Sequence, residues 1–130
     1  MVNRVVPRVL GALLVCLAVF VAGCSSGDGD RDAPGWAHGM ATVRVDRLPA
    51  EARRTLERID DGGPFPYEKD GTVFGNFERE LPRRERGYYH EYTVRTPGGR
   101  DRGARRIVTG GGGEIYYTDD HYASFKAVLR

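Results

Sequence analysis

Four side chains in the later part of this 130-residue chain have the types needed to move protons around a phosphate. Glu91 lies within Tyr88-Tyr89-His90-Glu91-Tyr92, Arg102 and Arg106 in the next basic segment, and His121 within Asp119-Asp120-His121-Tyr122. A carboxylate can take a proton, an imidazolium can give one, and two guanidiniums can hold the negative charge between them. This is a set for phosphodiester chemistry without a metal. A metal site built from His90, Glu91, Asp119 and His121 is the weaker reading, because adjacent strand residues point to opposite faces.

The elements that must position these groups follow from periodicity. Residues 48–59 predict a helix: Pro49 suits a first turn, Ala52, Leu56 and Ile59 share one face, and Gly62-Gly63 stop it. A turn-rich stretch follows, then strand composition at residues 72–74, 88–95, 105–109, 115–118 and 123–129. One helix followed by strands is the α+β pattern, with an N-terminal helix packed on one face of a small twisted antiparallel sheet. Period-two alternation puts His90, Tyr92 and Val94 on one face and Tyr89, Glu91 and Thr93 on the other. If the first set and Ile107 meet the helix, Glu91 and Arg106 project from the open face. Taken alone, that pair would read as a cross-strand ion pair. Gly110 to Gly113 lack the lysine and following helix of a phosphate loop and read as a flexible hairpin connection.

The N-terminal part is of another kind. Arg4 and Arg8 precede an apolar run at residues 10–20, too short for a permanent span, which predicts a secretory signal over residues 1–23. Val21-Ala22-Gly23-Cys24 resembles the bacterial lipobox, which implies diacylglyceryl modification of Cys24 and a lipoprotein on the outer face of the cytoplasmic membrane, partly released from it. More than one acyl chain is needed for stable anchoring. With Cys16 leaving in the signal and Cys24 lipidated, neither cysteine is free for a disulfide. Residues 24–41, poor in apolar side chains, read as a flexible tether of about 20 to 25 Å, and residues 42–130 as the domain. Trp36 and His38 within the tether could equally pack on the domain or touch headgroups. The whole chain carries a formal charge of +2, and loss of Arg4 and Arg8 would balance it. The local arginine clusters, Arg83, Arg84 and Arg86 and then Arg100, Arg102, Arg105 and Arg106, say more about a partner than the global charge does.

Several motifs in order carry a family resemblance. They are Leu48-Pro49-Ala50-Glu51-Ala52, Asp61-Gly62-Gly63-Pro64-Phe65-Pro66-Tyr67, Phe74-Gly75-Asn76-Phe77-Glu78, Gly87-Tyr88-Tyr89-His90-Glu91-Tyr92, Arg102-Gly103-Ala104-Arg105-Arg106 and Tyr116-Tyr117-Thr118-Asp119-Asp120-His121-Tyr122. Across residues 48–125 the chain resembles the microbial guanyl-specific ribonucleases, the barnase-like group, and most closely the small secreted enzymes of actinobacteria.

The resemblance implies the microbial ribonuclease fold and a metal-independent, cofactor-free endoribonuclease that cleaves single-stranded RNA after guanosine. It implies transphosphorylation to a 2′,3′-cyclic phosphate followed by hydrolysis, with Glu91 as general base, His121 as general acid, and Arg102 and Arg106 stabilising phosphate. It places guanine recognition in the 74–78 loop. There Glu78 would accept N1–H and N2–H, backbone N–H groups around Asn76 would meet O6 and N7, and Phe74 and Tyr122 would cover the base. Each also has a plainer role: Asn76 supports a turn, Phe74 belongs to the core, and Tyr122 is a rim aromatic.

The chain departs from the resembled pattern at Phe77, where those enzymes usually carry arginine, and in lacking the disulfide that joins their ends, a loss of about 2 to 4 kcal/mol of stability. The resemblance implies a monomer and a small acidic intracellular inhibitor as partner. The competing class is a lipid-anchored module of the same fold that binds a nucleotide or protein with little or no turnover.

Overall fold

The computed structural model describes residues 33–130. The signal segment, Cys16, Cys24 and tether residues 24–32 lie outside the described residues. Helix α1 (Ala50–Asp61) starts two residues later than the spacing predicts, because Pro49 is extended (ψ 151°) and serves as its N-cap. It ends in a left-handed Gly62 at φ 80°. The Gly62 N–H returns to the Ile59 carbonyl at 3.2 Å and the Gly63 N–H to that of Arg58 at 2.8 Å, which closes the last turn.

Six strands form one sheet: β1 (Thr42–Arg44), β2 (Thr72–Val73), β3 (Tyr89–Thr93), β4 (Arg106–Gly110), β5 (Ile115–Thr118) and β6 (Lys126–Leu129). Their spatial order is β1-β6-β5-β4-β3-β2. The β2 to β6 pairings are antiparallel, as the strand pattern predicts. The sheet as a whole is mixed, because β1 lies parallel to β6 with Thr42 opposite Ala127. Strand β6 begins only at Lys126, since Asp120 holds Ser124 in the preceding turn through its backbone N–H (2.9 Å) and hydroxyl (2.5 Å).

The tether boundary at residue 41 is corrected. Residues Gly35–Ala37 form a 3₁₀ turn, Ala37 is buried, and the Trp36 ring meets Tyr116 edge-on at 5.3 Å. Of the two roles open to Trp36, packing on the domain is the one observed. The apolar side chain has a hydrophobic partner there that sequence-local rules do not reveal.

The two sheet faces carry separate cores. Against α1 lie Val94, Ile107, Tyr117 and Val128, packed on Leu48, Ala52 and Leu56, with Tyr92 and Ile59 at the margin. The other face carries Phe74, Tyr89, Val108, Tyr116 and Phe125, with Leu81 from the 74–88 loop and Tyr122 at the edge. The second face is therefore covered rather than open, and Arg106 is only 3% exposed. The glycine hairpin between β4 and β5 is pinned rather than free: Glu114 is buried and accepts from the Gly112 N–H (2.9 Å) and the Tyr88 hydroxyl (2.6 Å). Burial pushes the Glu114 pKa up, but those hydrogen bonds outweigh it and hold the carboxyl below its usual range.

Candidate active site

Glu91 is the middle residue of β3 and sits opposite Val108 of β4. Its side chain is 16% exposed, and Oε1 accepts from the Tyr122 hydroxyl at 2.8 Å and from Arg102 Nη2 at 3.4 Å. Arg102 is held in turn by Nε donating to Thr93 Oγ1 at 3.1 Å. Thr93 stands two residues beyond Glu91 on the same face, the spacing a strand requires. Arg106 reaches the centre from the paired strand: Nε donates to the Tyr122 hydroxyl at 3.1 Å, and Nη1 to the carbonyls of Gly103 (3.0 Å) and Arg105 (2.8 Å). These contacts hold the buried guanidinium and leave Nη2 without a protein acceptor among the described residues.

Tyr122 is the hub that sequence reasoning cast only as a base cover or rim aromatic. Burial, the hydrogen bond to Glu91 and that carboxylate's charge push its phenol up to about 12, so it stays a donor at any working pH. His121, beside it, is exposed, with its ring 4.9 Å from that of Tyr122. Both residues have positive φ, 58° and 73°, a conformation that costs non-glycine residues about 1 to 3 kcal/mol each. Local hydrogen bonds hold the turn. Thr118 Oγ1 donates to Asp120 at 2.7 Å and accepts from the Tyr122 N–H at 3.2 Å, while the His121 N–H donates to the Ala104 carbonyl at 3.0 Å. With Ser124 also donating, Asp120 has its pKa drawn down to about 2. The Thr118-Asp120-Ser124 spacing is the signal that could have identified this clasp.

The 74–78 loop stands at the Tyr89 end of β3, where the Phe74 N–H donates to the Tyr89 carbonyl at 2.8 Å. Of the two roles open to Asn76, its side chain takes the turn role, donating to the Leu81 carbonyl (2.9 Å) and accepting from the Leu81 N–H (3.1 Å). The backbone N–H groups of residues 75–78 have no acceptor among the described residues. Glu78 is exposed. Phe74 and Tyr122 stack on each other at 4.8 Å, so a base cannot enter between them without parting the rings. Phe77 is instead the exposed ring of the loop, 83% accessible, lying over Gly75. A Cβ at position 75 would come within 2.6 Å of that ring, so glycine permits the approach.

Glu91, Arg102, Arg106, Tyr122 and His121 are thus brought together, with Phe74, Asn76 and Glu78 in the adjoining loop. His90 is not part of the group: its Nδ1 lies 3.0 Å from the Gly71 carbonyl on the other side of the strand. The alternative metal set is not assembled, since no group of three or more His, Cys, Asp or Glu side chains converges among the described residues.

A sequence profile for ribonucleases matches residues 32–129. This chain belongs to the ribonuclease family. Among ribonucleases it is 57% identical over 99 residues to the guanyl-specific ribonuclease St of Saccharopolyspora erythraea, covering 75% of this chain and 98% of that one. It is 62% identical over 90 residues to the guanyl-specific ribonuclease Sa3 of Kitasatospora aureofaciens, covering 68% and 64%. The structure of ribonuclease Sa2 in complexes with mononucleotides matches with a TM-score of 0.70 at 51% identity, covering 71% of this chain and 96% of that one. Ribonuclease Sa2 with 3′-GMP matches with a TM-score of 0.64 at 50% identity, covering 68% and 96%.

Proposed function

We propose that this ribonuclease is a guanyl-preferring endoribonuclease that cleaves single-stranded RNA after guanosine. The observation that carries the reading is Glu91, held on one oxygen by Tyr122 and Arg102 beside the fixed Arg106 guanidinium. Because both contacts fall on Oε1, Oε2 is left to receive the proton of the ribose 2′-hydroxyl. The 2′-oxygen then bonds to phosphorus, the bond to the 5′-oxygen breaks, and His121 supplies the proton that the leaving oxygen needs. Arg102 and Arg106 Nη2 offset the charge that grows on the phosphoryl oxygens. Water reverses the roles and opens the 2′,3′-cyclic phosphate to the 3′-phosphate.

Guanine selection falls to Glu78 and the unpaired backbone N–H groups of the 74–78 loop, supported by the guanyl specificity named for the relatives. Phe77 is the ring available to cover the base. Lipid attachment at Cys24, with display on the outer face of the cytoplasmic membrane and partial release, is supported by Val21-Ala22-Gly23-Cys24. A small acidic inhibitor fits the exposed arginines around the site.

Full-length protein incubated in EDTA with guanylyl and adenylyl dinucleotides tests the chemistry. The expected product is cyclic guanosine phosphate from the guanylyl substrate alone, lost in Glu91→Gln and His121→Ala. Binding of guanosine monophosphate without cleavage by the folded parent would instead assign a binding module. Intact mass of the expressed protein tests the anchor, through the diacylglyceryl increment on Cys24.

A further inference from the structure

Gly110 to Gly113 lead from β4 toward β5, and the Tyr88 ring lies along them. A Cβ at Gly110, Gly111 or Gly112 would come within 3.0, 3.2 and 3.0 Å of that ring or its hydroxyl, and one at Gly110 would also overlap the Glu114 carboxylate. Glycine lets the ring lie this close to the backbone. The ring is then latched. Its hydroxyl donates to Glu114 Oε2 at 2.6 Å, while Glu114 Oε1 accepts from the Gly112 N–H at 2.9 Å. Glu114 is 5% exposed, and the proton transfers assigned to Glu91 and His121 make no use of it. Burying a carboxylate is costly unless it is hydrogen-bonded, and both of its oxygens are.

Tyr88 leads from this latch to the base loop. Its ring packs edge-on against Tyr89 at 5.1 Å, and the Arg84 guanidinium stands over it at 4.9 Å. The Tyr89 hydroxyl donates to the Pro82 carbonyl at 2.6 Å. Two tyrosines therefore fasten the 79–88 arm, one at Pro82 and one at Arg84. Next to Pro82, Leu81 is buried, and its backbone N–H and carbonyl are the partners of the Asn76 side chain. Asn76 and Arg79 have φ of 55° and 59°, and the Arg79 N–H donates to the Asn76 carbonyl at 3.0 Å. A strained turn thus carries Phe77 and the exposed Glu78, and such a turn persists only where its surroundings hold it.

We infer that Glu114 and Tyr88 are positioning residues for base selection. The glycine hairpin clasps Tyr88, Tyr88 holds the 79–88 arm, and the arm holds the turn that aims Glu78. The inference rests on the guanyl-preferring reading above and extends its specificity to two residues outside the base loop.

The test assays full-length parent, Tyr88→Phe, Glu114→Ala and the double variant with guanylyl and adenylyl dinucleotides. Tyr88→Phe keeps the ring on its glycine bed and deletes the latch. KM for the guanylyl substrate is expected to rise about tenfold, the size of one hydrogen bond to a charged group, with kcat within about twofold. The kcat/KM for the adenylyl substrate stays level, so selectivity falls by the same factor. The double variant loses no more than the weaker single variant, because the two groups act through one contact. Val128→Ala, in the helix-side core, gives the comparison for stability alone: its Tm falls and its selectivity does not. Selectivity retained in Tyr88→Phe, an equal loss in Val128→Ala, or a fall in kcat in place of the rise in KM overturns the inference. Should Glu114→Ala not fold, Tyr88→Phe alone decides.

A parent without guanylyl preference would sink the guanyl reading instead. The latch is then read from amide hydrogen exchange at Arg79 and Leu81, whose N–H groups close the turn on Asn76. Faster exchange there in Tyr88→Phe, with Val94 unchanged, supports the positioning role. Equal exchange, or a change as large at Val94, rejects it.

Discussion

The face of the sheet toward α1 and the face toward Glu91 are built from different materials. Val94, Ile107 and Val128 meet Leu48, Ala52 and Leu56 in a core made almost wholly of aliphatic side chains, and among the described residues Thr55 is the buried polar residue that the helix adds. The other face is filled by rings, Phe74, Tyr89, Tyr116 and Phe125, and it admits a buried arginine and a buried glutamate. It also holds the buried Tyr116 hydroxyl, which has no hydrogen-bond partner among the described residues. Two successive residues of positive φ, His121 and Tyr122, border it. Aliphatic packing supplies stability without polar obligations, whereas rings with polar tips can wall in charged groups and still satisfy them. The aliphatic core and the candidate site thus lie on opposite faces of one thin sheet.

The division can be broken from either side. Glu91→Gln is expected to lower kcat for the guanylyl dinucleotide by about 10²- to 10⁴-fold with little change in Tm, because the amide keeps the volume and loses the carboxylate proposed as the base. A large fall in Tm would show that the site face also carries the fold. Ile107→Ala should do the reverse. It removes about 2 to 5 kcal/mol from denaturant-measured stability, with kcat unchanged wherever the protein remains folded.

Tyr122→Phe sharpens the comparison by keeping the ring and deleting the hub hydroxyl. Losing a donor to a charged acceptor is worth about 1.5 to 3 kcal/mol, and the loss should fall on kcat/KM more than on Tm. The smallest effect is expected of Asp120→Asn, read by thermal melts across pH. The Asp120 pKa is depressed in the fold to about 2, against about 3.9 in an unfolded chain. Its contribution is therefore complete above about pH 4 and disappears as pH falls through about 2. The variant should melt below the parent at neutral pH, with the gap closing in acid. A constant gap would mean that the carboxylate charge is not what holds the turn.

Much of the helix face was legible in the sequence. Ala52, Leu56 and Ile59 announced the buried stripe, and alternation along residues 88–95 separated Val94 from Glu91. The site face was legible in membership but not in wiring. That Tyr122 donates to Glu91 depends on positive φ at two residues with no intrinsic preference for it. The self-stacking of Phe74 and Tyr122 depends on which loop folds over which. Strand β1 escaped because its three residues have no strong period, and only pairing with β6, far along the chain, makes them a strand.

The parallel pairing of β1 with β6 also sets a schedule for the molecule's making. A chain is synthesised from its N-terminus, so Thr42 to Arg44 emerge with their partner still unmade, and the contact closes a loop that spans nearly the whole domain. Long-range pairings of this kind form late and slow folding. His121 and Tyr122 are likewise made after Glu91, Arg102 and Arg106. A chain that has emerged only as far as β5 therefore has neither a complete sheet nor a complete candidate site, and the full fold closes only once β6 has emerged and docked between β1 and β5.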